Sequence, residues 1–138
     1  MKNKTIFKYK PIHFILRFDK SSRLYAEVVI FKTQKDLWRH YGHKTARAYC
    51  WSYSDKYKGK PDYCIGQVGF SENWMGYQLV VHELTHLAFR WARRKKLNWD
   101  LPKNGRYVSE GEEMICHCVD RLMVGFYKHP KIKALLKK

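Results

Sequence analysis

The sequence predicts an α+β fold in which a small, twisted and mainly antiparallel sheet packs against two long helices. Two observations predict this class: β-branched and aromatic stretches fill the first half of the chain, whereas apolar residues recur at helical spacing in the second. The 138 residues suit one domain with its own core, and no repeat or linker divides them. We therefore expect a single domain over 1–138, with basic, flexible ends at 1–10 and 131–138.

The first half of the chain predicts two hairpins and a short helix. The strands are expected over residues 12–18, 24–31, 45–53 and 63–70. Turn-forming residues at 19–22 and 58–62 would close the two hairpins. Between the hairpins, Thr33 is expected to cap a short helix that ends at Gly42.

The second half predicts two long helices, because apolar residues recur there with the helical period. Ser71 and Ser109 are expected as their N-caps, since a serine hydroxyl accepts a hydrogen bond from a free N–H group of the first turn. Pro130 is expected to end the second helix, and a short amphipathic tail helix follows over 132–136.

The chain is strongly basic, with 28 Lys and Arg against 12 Asp and Glu and a formal net charge of +16. Such a field attracts nucleic acid, acidic protein segments or anionic membranes, so the charge alone identifies no partner. The basic residues cluster at 2–10, 90–96 and 128–138 instead of forming one binding motif. A solvated basic surface and a functional contact with nucleic acid are both compatible with this pattern.

Cysteine spacing and hydropathy argue against secreted and membrane-spanning classes. The four cysteines form no CxxC pair and follow no secretion signal, so we expect reduced thiols. No apolar run approaches the length that spans a bilayer. The sequence therefore predicts a cytoplasmic protein without membrane insertion, and it does not indicate an oligomeric state.

A metal-binding pattern lies in the first long helix, where residues 80–87 read VVHELTHL and contain HExxH. The i, i+4 spacing puts the imidazoles of His82 and His86 on one helix face, where both can bind one Zn²⁺ ion. Glu83 is placed to take a proton from a water molecule on that ion. Because the flanking residues are uncharged, we expect a buried helix; two ordinary histidines are the alternative.

A catalytic zinc site needs a third protein ligand, and the second long helix offers two glutamates. At about 100° per residue, its apolar residues centre close to Glu112, whereas Glu113 is rotated toward the polar side with Asp120. A carboxylate on a face that points toward the core is costly unless it is paired or bound to metal. We therefore expect Glu112 as the third ligand, with Glu113 as the fallback.

The HELTH sequence at 82–86, followed by EEMIC at 112–116, resembles the gluzincin pattern, in particular the ImmA/IrrE-like and phage-type small metallopeptidases. The resemblance covers about residues 68–126 and implies a minimal zincin-like fold, in which a small twisted sheet lies over the HExxH helix. It also implies that both histidines and Glu112 bind zinc and that Glu83 is the general base.

The same resemblance implies that the strand before the HExxH helix, at 63–70, faces the substrate. An exposed edge there would hold an extended peptide by strand addition, and an ordinary internal strand is the alternative. The candidate contact residues are Cys64, Ile65, Gly66, Gln67 and Val68. Arg106, Tyr107 and His117 flank the second long helix and are candidates for stabilising the oxyanion of a tetrahedral intermediate.

The function expected from these residues is a zinc-dependent peptidase that acts on a protein or peptide substrate with one Zn²⁺ ion. The competing expectation is a non-catalytic zinc-containing module whose basic surface binds nucleic acid or an acidic protein partner. The two differ in their response to Glu83→Gln, which should abolish hydrolysis but leave binding to nucleic acid unchanged.

Overall fold

The computed structural model describes residues 7–53, 63–100 and 109–137 and has an α+β fold, as predicted. Its elements are β1 (Ile12–Arg17), β2 (Tyr25–Phe31), α1 (Gln34–Tyr41), β3 (Ala48–Ser52), β4 (Cys64–Ser71), α2 (Tyr77–Arg94), α3 (Glu110–Lys128) and α4 (Pro130–Leu136). The predicted turn at 58–62 lies outside the described residues. None of the helices in the three described segments combines the length and apolar character needed to cross a membrane.

The four strands form one mixed sheet in the order β1-β2-β4-β3. Both predicted hairpins are present, because β1 pairs with β2 and β3 pairs with β4 in antiparallel register. The hairpins join through a parallel pairing of β2 with β4. This order places β1 and β3 at the edges of the sheet and β4 in its interior.

The two faces of the sheet pack against different helices. One face packs against α2 and α3 around a core that includes Val28, Val68, Leu84 and Phe126, all with no solvent exposure. The other face packs against α1 around a smaller cluster of buried residues, Val29, Phe31, Leu37 and Tyr49. Each fully buried apolar side chain of this size contributes about 1.5–3 kcal/mol relative to exposure. The larger core therefore fixes α2 on the sheet.

Three of the predicted helix signals have the expected geometry. Thr33 accepts a hydrogen bond from the N–H of Asp36 at 3.2 Å, and Gly42 ends α1 with a φ of 85°. Ser109 caps α3 by accepting from the N–H of Glu112 at 3.1 Å. The predicted tail helix is α4, in which Ile132 is fully buried.

The prediction that Ser71 caps the first long helix is wrong. Ser71 is the last residue of β4, where it pairs with Phe31 and is fully buried. Helix α2 begins at Tyr77 instead, and its N-cap Gly76 offers no side-chain hydrogen bond. The sheet extends β4 to Ser71 because a parallel partner from a distant part of the chain is available there, which the local sequence does not reveal.

Candidate metal centre

Helix α2 presents different residues to the core and to the surface. Its buried side, which includes Leu84, Leu87 and Trp91, anchors the helix against the sheet. His82 and His86 lie on the exposed side, one turn apart. The anchored helix backbone therefore holds both imidazoles at a position open to solvent, where a small ion or a substrate can reach them.

The imidazoles of His82 and His86 converge, with 3.3 Å between their Nε2 atoms and 4.9 Å between their ring centroids. In a tetrahedral zinc site with Zn–N bonds of about 2.0–2.1 Å, two ligand nitrogens are separated by about 3.3–3.4 Å. The observed separation therefore fits two ligands of one zinc ion. As predicted from the i, i+4 spacing, the helix brings both nitrogens within reach of a single ion.

Glu83 is directed away from solvent, with 8% of its surface exposed. Burial raises the pKa of this carboxyl, although the neighbouring His82 and His86 act in the opposite direction. A raised pKa makes the Glu83 carboxylate a stronger base than a solvated glutamate. The residue thus combines a position beside the two histidines with the basicity that a proton acceptor needs.

The two glutamates at the start of α3 differ in environment, as their helical positions predict. Glu112 is partly buried, and its Oε2 atom is fully enclosed with no hydrogen-bond partner among the residues that the structure describes. The side chain of Glu113 is 57% exposed and forms a 3.6 Å ion pair with His117. An enclosed carboxylate oxygen without a partner is costly, and a cation would satisfy it. This environment makes Glu112 the carboxylate that a nearby cation would relieve, whereas the exposed Glu113 needs none.

The described segments contain no group of three or more His, Cys, Asp or Glu side chains already arranged to hold a metal ion. The packing of α3 explains why Glu112 stands apart from the histidines. Gly111 lies so close to the backbone of Asn98, just beyond α2, that a Cβ there would overlap it. The first turn of α3 is therefore level with the end of α2, past His86. A three-ligand site requires Glu112 to approach the histidine pair.

The histidines and Glu83 face a cleft between α2 and the edge strand β3. Two cavities lie in this cleft, of about 880 Å³ and 290 Å³, and Glu83 and Ala48 line both. His82 lines the larger cavity and His86 the smaller one. The base predicted from the sequence thus lies between two open spaces, which can hold the parts of a substrate on either side of the bond that reacts.

The expectation of an exposed substrate-binding edge at 63–70 is not met, because β4 is an internal strand, the alternative that its sequence also allowed. It pairs with β2 on one side and with β3 on the other, so it has no free edge for an added peptide. The five candidate residues Cys64, Ile65, Gly66, Gln67 and Val68 are all buried. Gln67 accepts a hydrogen bond from the Tyr49 hydroxyl at 2.6 Å, as expected of a polar group inside the protein.

The predicted oxyanion-stabilising residues are not brought to the cleft in the part of the chain that is described. Arg106 and Tyr107 lie outside the described residues. The side chain of His117 is 70% exposed beside Glu113, and His117 lines neither of the two cavities.

Several cleft residues were not identified from the sequence. Arg47 stacks over the Trp74 ring at 4.5 Å, and both line the larger cavity. The small side chains Ala48 and Cys50 alternate along β3 and line the smaller cavity with Ser52. Small residues at every second position of an edge strand leave space beside it, and this alternation is the signal that could have located the cleft.

Cys50 lines the smaller cavity together with Glu83 and His86. Burial, together with the charge of Glu83, raises the pKa of Cys50 to about 12, although Arg90 acts in the opposite direction. The thiolate is the nucleophilic form of cysteine, so this side chain is inert at neutral pH. The chemistry of the cleft therefore lies with its carboxylate and imidazoles.

Comparison of the chain with protein-family models, with curated proteins and with solved structures found no match. Its function is therefore inferred from the residues of the cleft themselves.

Proposed function

We propose that the protein is a zinc-dependent peptidase with a minimal zincin-like architecture, in which His82, His86 and Glu112 hold one zinc ion. The observation that carries the proposal is the 3.3 Å separation of the two histidine Nε2 atoms beside a buried glutamate. A hydrogen bond between two neutral imidazoles would explain the contact but not the carboxylate of Glu83 next to it.

Zinc in such a site supplies Lewis acidity, which makes a water molecule acidic enough to lose a proton near neutral pH. Glu83 is the group placed to accept this proton, because its carboxylate is buried beside the two histidines and lines both cavities of the cleft. The same carboxyl then carries the proton to the leaving amine nitrogen. One side chain thus acts first as base and then as acid.

Edge strand β3 gives the cleft a way to hold an extended peptide. Among the described residues β3 pairs only with β4, which leaves its other backbone edge available. A peptide can add to such an edge as a further strand, with its backbone satisfied by β3 and its side chains in adjacent spaces. Antiparallel pairing is the commoner arrangement in proteins, and we infer it here.

The function test uses Glu83→Gln, which keeps the shape of the side chain and removes its basicity. The zinc-loaded variant should retain zinc by elemental analysis and lose hydrolysis of a mixed-sequence peptide library by about 10²–10⁴-fold, read by mass spectrometry. His86→Ala should lose the zinc itself. Glu113→Gln, at an exposed site on α3, is the matched control and should resemble the wild type.

The alternative function, a zinc-containing module that binds nucleic acid or an acidic protein, is favoured by the net charge of +16. It predicts binding that weakens steeply with salt and is indifferent to Glu83→Gln. A zinc-loaded wild type that cleaves no peptide of the library but binds DNA or RNA in this way would replace the peptidase proposal.

A further inference from the structure

The size and the lining residues of the larger cavity indicate which substrates would fit the cleft. It has a volume of about 880 Å³, and its walls include both Glu83 and His82. This is space enough for one or two amino-acid side chains next to the position where the peptide bond would react. A group bound there would therefore determine which peptides are cut.

The cation in this cavity is Arg47, whose guanidinium is held over the Trp74 ring at 4.5 Å. No ion pair of Arg47 with a carboxylate occurs among the residues that the structure describes. A guanidinium oriented by an aromatic face keeps its N–H groups available for a carboxylate, which it can bind through two parallel hydrogen bonds. Within the described segments, Arg47 is thus a cation oriented by Trp74 and without a carboxylate partner.

The first turn of α2 also favours a carboxylate in the larger cavity. Gly76 and Tyr77 line the cavity, and the cap position contributes no side-chain hydrogen bond. The first turn of α2 also contains no acidic residue. Uncapped N–H groups and the positive end of the helix dipole favour an anion at this position.

The direction of β3 indicates which part of a bound peptide, before or after the bond that is cut, occupies the larger cavity. Arg47, just before β3, lines only the larger cavity, whereas Ser52, at the end of β3, lines only the smaller one. A peptide antiparallel to β3 therefore places the residues after the reacting bond in the larger cavity. The side of the cleft that contains Arg47 is the C-terminal side of the substrate.

We propose that the larger cavity is a carboxylate-binding subsite, which selects peptides with an acidic side chain or a terminal carboxylate directly after the bond that is cut. The inference deepens the proposed peptidase function and, as a statement about cleavage, rests on it. The charge of the whole chain acts in the same direction, since a net charge of +16 attracts acidic peptides to the surface.

The test uses matched peptides that differ only in the residue directly after the expected cut, which is Glu, Gln or Lys. Each peptide is made with a free and with an amidated C-terminus. Zinc-loaded wild type should cleave the Glu peptides, or the free-ended ones, at least tenfold faster in kcat/KM than neutral amidated peptides. Arg47→Gln should reduce this ratio to about one. Lys44→Gln removes an exposed charge that lines neither cavity and should leave the ratio unchanged.

A second pair of variants tests the helix end without removing an arginine. Gly76→Asp places a carboxylate of the protein itself at the cap of α2, where it would compete with the substrate, and should reduce the ratio. Gly76→Ala adds a Cβ without a capping oxygen and should retain it; a Cβ at Gly76 meets nothing within 4 Å, so neither substitution introduces an overlap at this atom. Equal cleavage of all these peptides, whether the residue is Glu, Gln or Lys and whether the C-terminus is free or amidated, or a ratio unaffected by Arg47→Gln, would overturn the subsite.

Binding distinguishes failure of the subsite from failure of the peptidase proposal. The same peptides are titrated into Glu83→Gln protein by calorimetry, with and without zinc. Tighter binding of the carboxylate-bearing peptides that is lost in Arg47→Gln supports the subsite even when the wild type cleaves nothing. Cleavage without any carboxylate preference overturns the subsite and leaves the peptidase function standing.

Discussion

Glu112→Gln should change the stability of the protein in opposite directions with and without zinc. Without metal, the wild type encloses a carboxylate oxygen that has no hydrogen-bond partner. An unsatisfied buried group costs about 1–3 kcal/mol, more when it is charged. Removing the charge while keeping the shape should therefore raise the free energy of unfolding of the metal-free protein by about 1 kcal/mol.

With zinc the order reverses. At a free zinc concentration about 1,000 times its dissociation constant, binding adds about 4.1 kcal/mol to the stability of the wild type. If the loss of Glu112 weakens binding about 100-fold, the same zinc concentration adds only about 1.4 kcal/mol. At about 4 °C per kcal/mol for a chain of this size, the zinc-induced increase in Tm should fall from about 16 °C to about 6 °C.

Thermal unfolding followed by circular dichroism, in chelator and in buffered zinc, measures both effects in one series. Glu113→Gln is the matched control: its side chain is 57% exposed, so it should move either Tm by less than about 2 °C. If Glu112→Gln kept the full zinc-induced increase while His86→Ala lost it, the inference from an enclosed, unpartnered carboxylate to a metal ligand would be refuted.

The other predictions concern the fold and the thiols. Burial opposes ionisation of Asp19, but hydrogen bonds from a backbone N–H and from Trp91 outweigh it and hold the pKa of this carboxyl below its usual range. Asp19→Asn should therefore cost about 2 kcal/mol in urea unfolding at neutral pH, a difference that shrinks below about pH 4, where the wild type loses the benefit. An unchanged difference at pH 2 would contradict this. Gly69→Ala should cost about 1–3 kcal/mol, because a Cβ there would overlap the tyrosine ring of the neighbouring strand; an unchanged Tm would show that the ring can move. Iodoacetamide at pH 7 should modify exposed Cys116 before Cys50, since burial raises the pKa of Cys50 to about 12; peptide mapping that found the reverse order would contradict the inert thiol.

The features that the sequence predicted correctly depend on local periodicity. The i, i+4 spacing sufficed to bring the nitrogens of His82 and His86 within 3.3 Å, because one helical turn fixes that relation. Helical phase likewise distinguished enclosed Glu112 from exposed Glu113. Such relations lie within one element, where the rotation per residue is known in advance.

The features that could not be predicted from the sequence depend on pairing between distant segments of the chain. β4 became an internal strand because it pairs in parallel with β2, from Tyr25 with Cys64 to Phe31 with Ser71. Its short apolar run with glycines is compatible with either an edge or an interior position. The edge beside α2 is therefore β3, and the cavity next to it is lined by Arg47 and Trp74, which the local sequence did not indicate.

Adjacent residues of helix α2 lie in opposite environments, one exposed and one buried. A rotation of about 100° per residue separates exposed His82 from buried Glu83, so one helix turn offers ligands to solvent and keeps the base inside. Glu112 adds a second enclosed carboxylate on α3. At about 1–3 kcal/mol, the enclosed oxygen of Glu112 opposes part of a total stability of about 5–15 kcal/mol. An apolar residue at position 112 would stabilise the metal-free fold, which is why we propose that this carboxylate serves a cation and not folding.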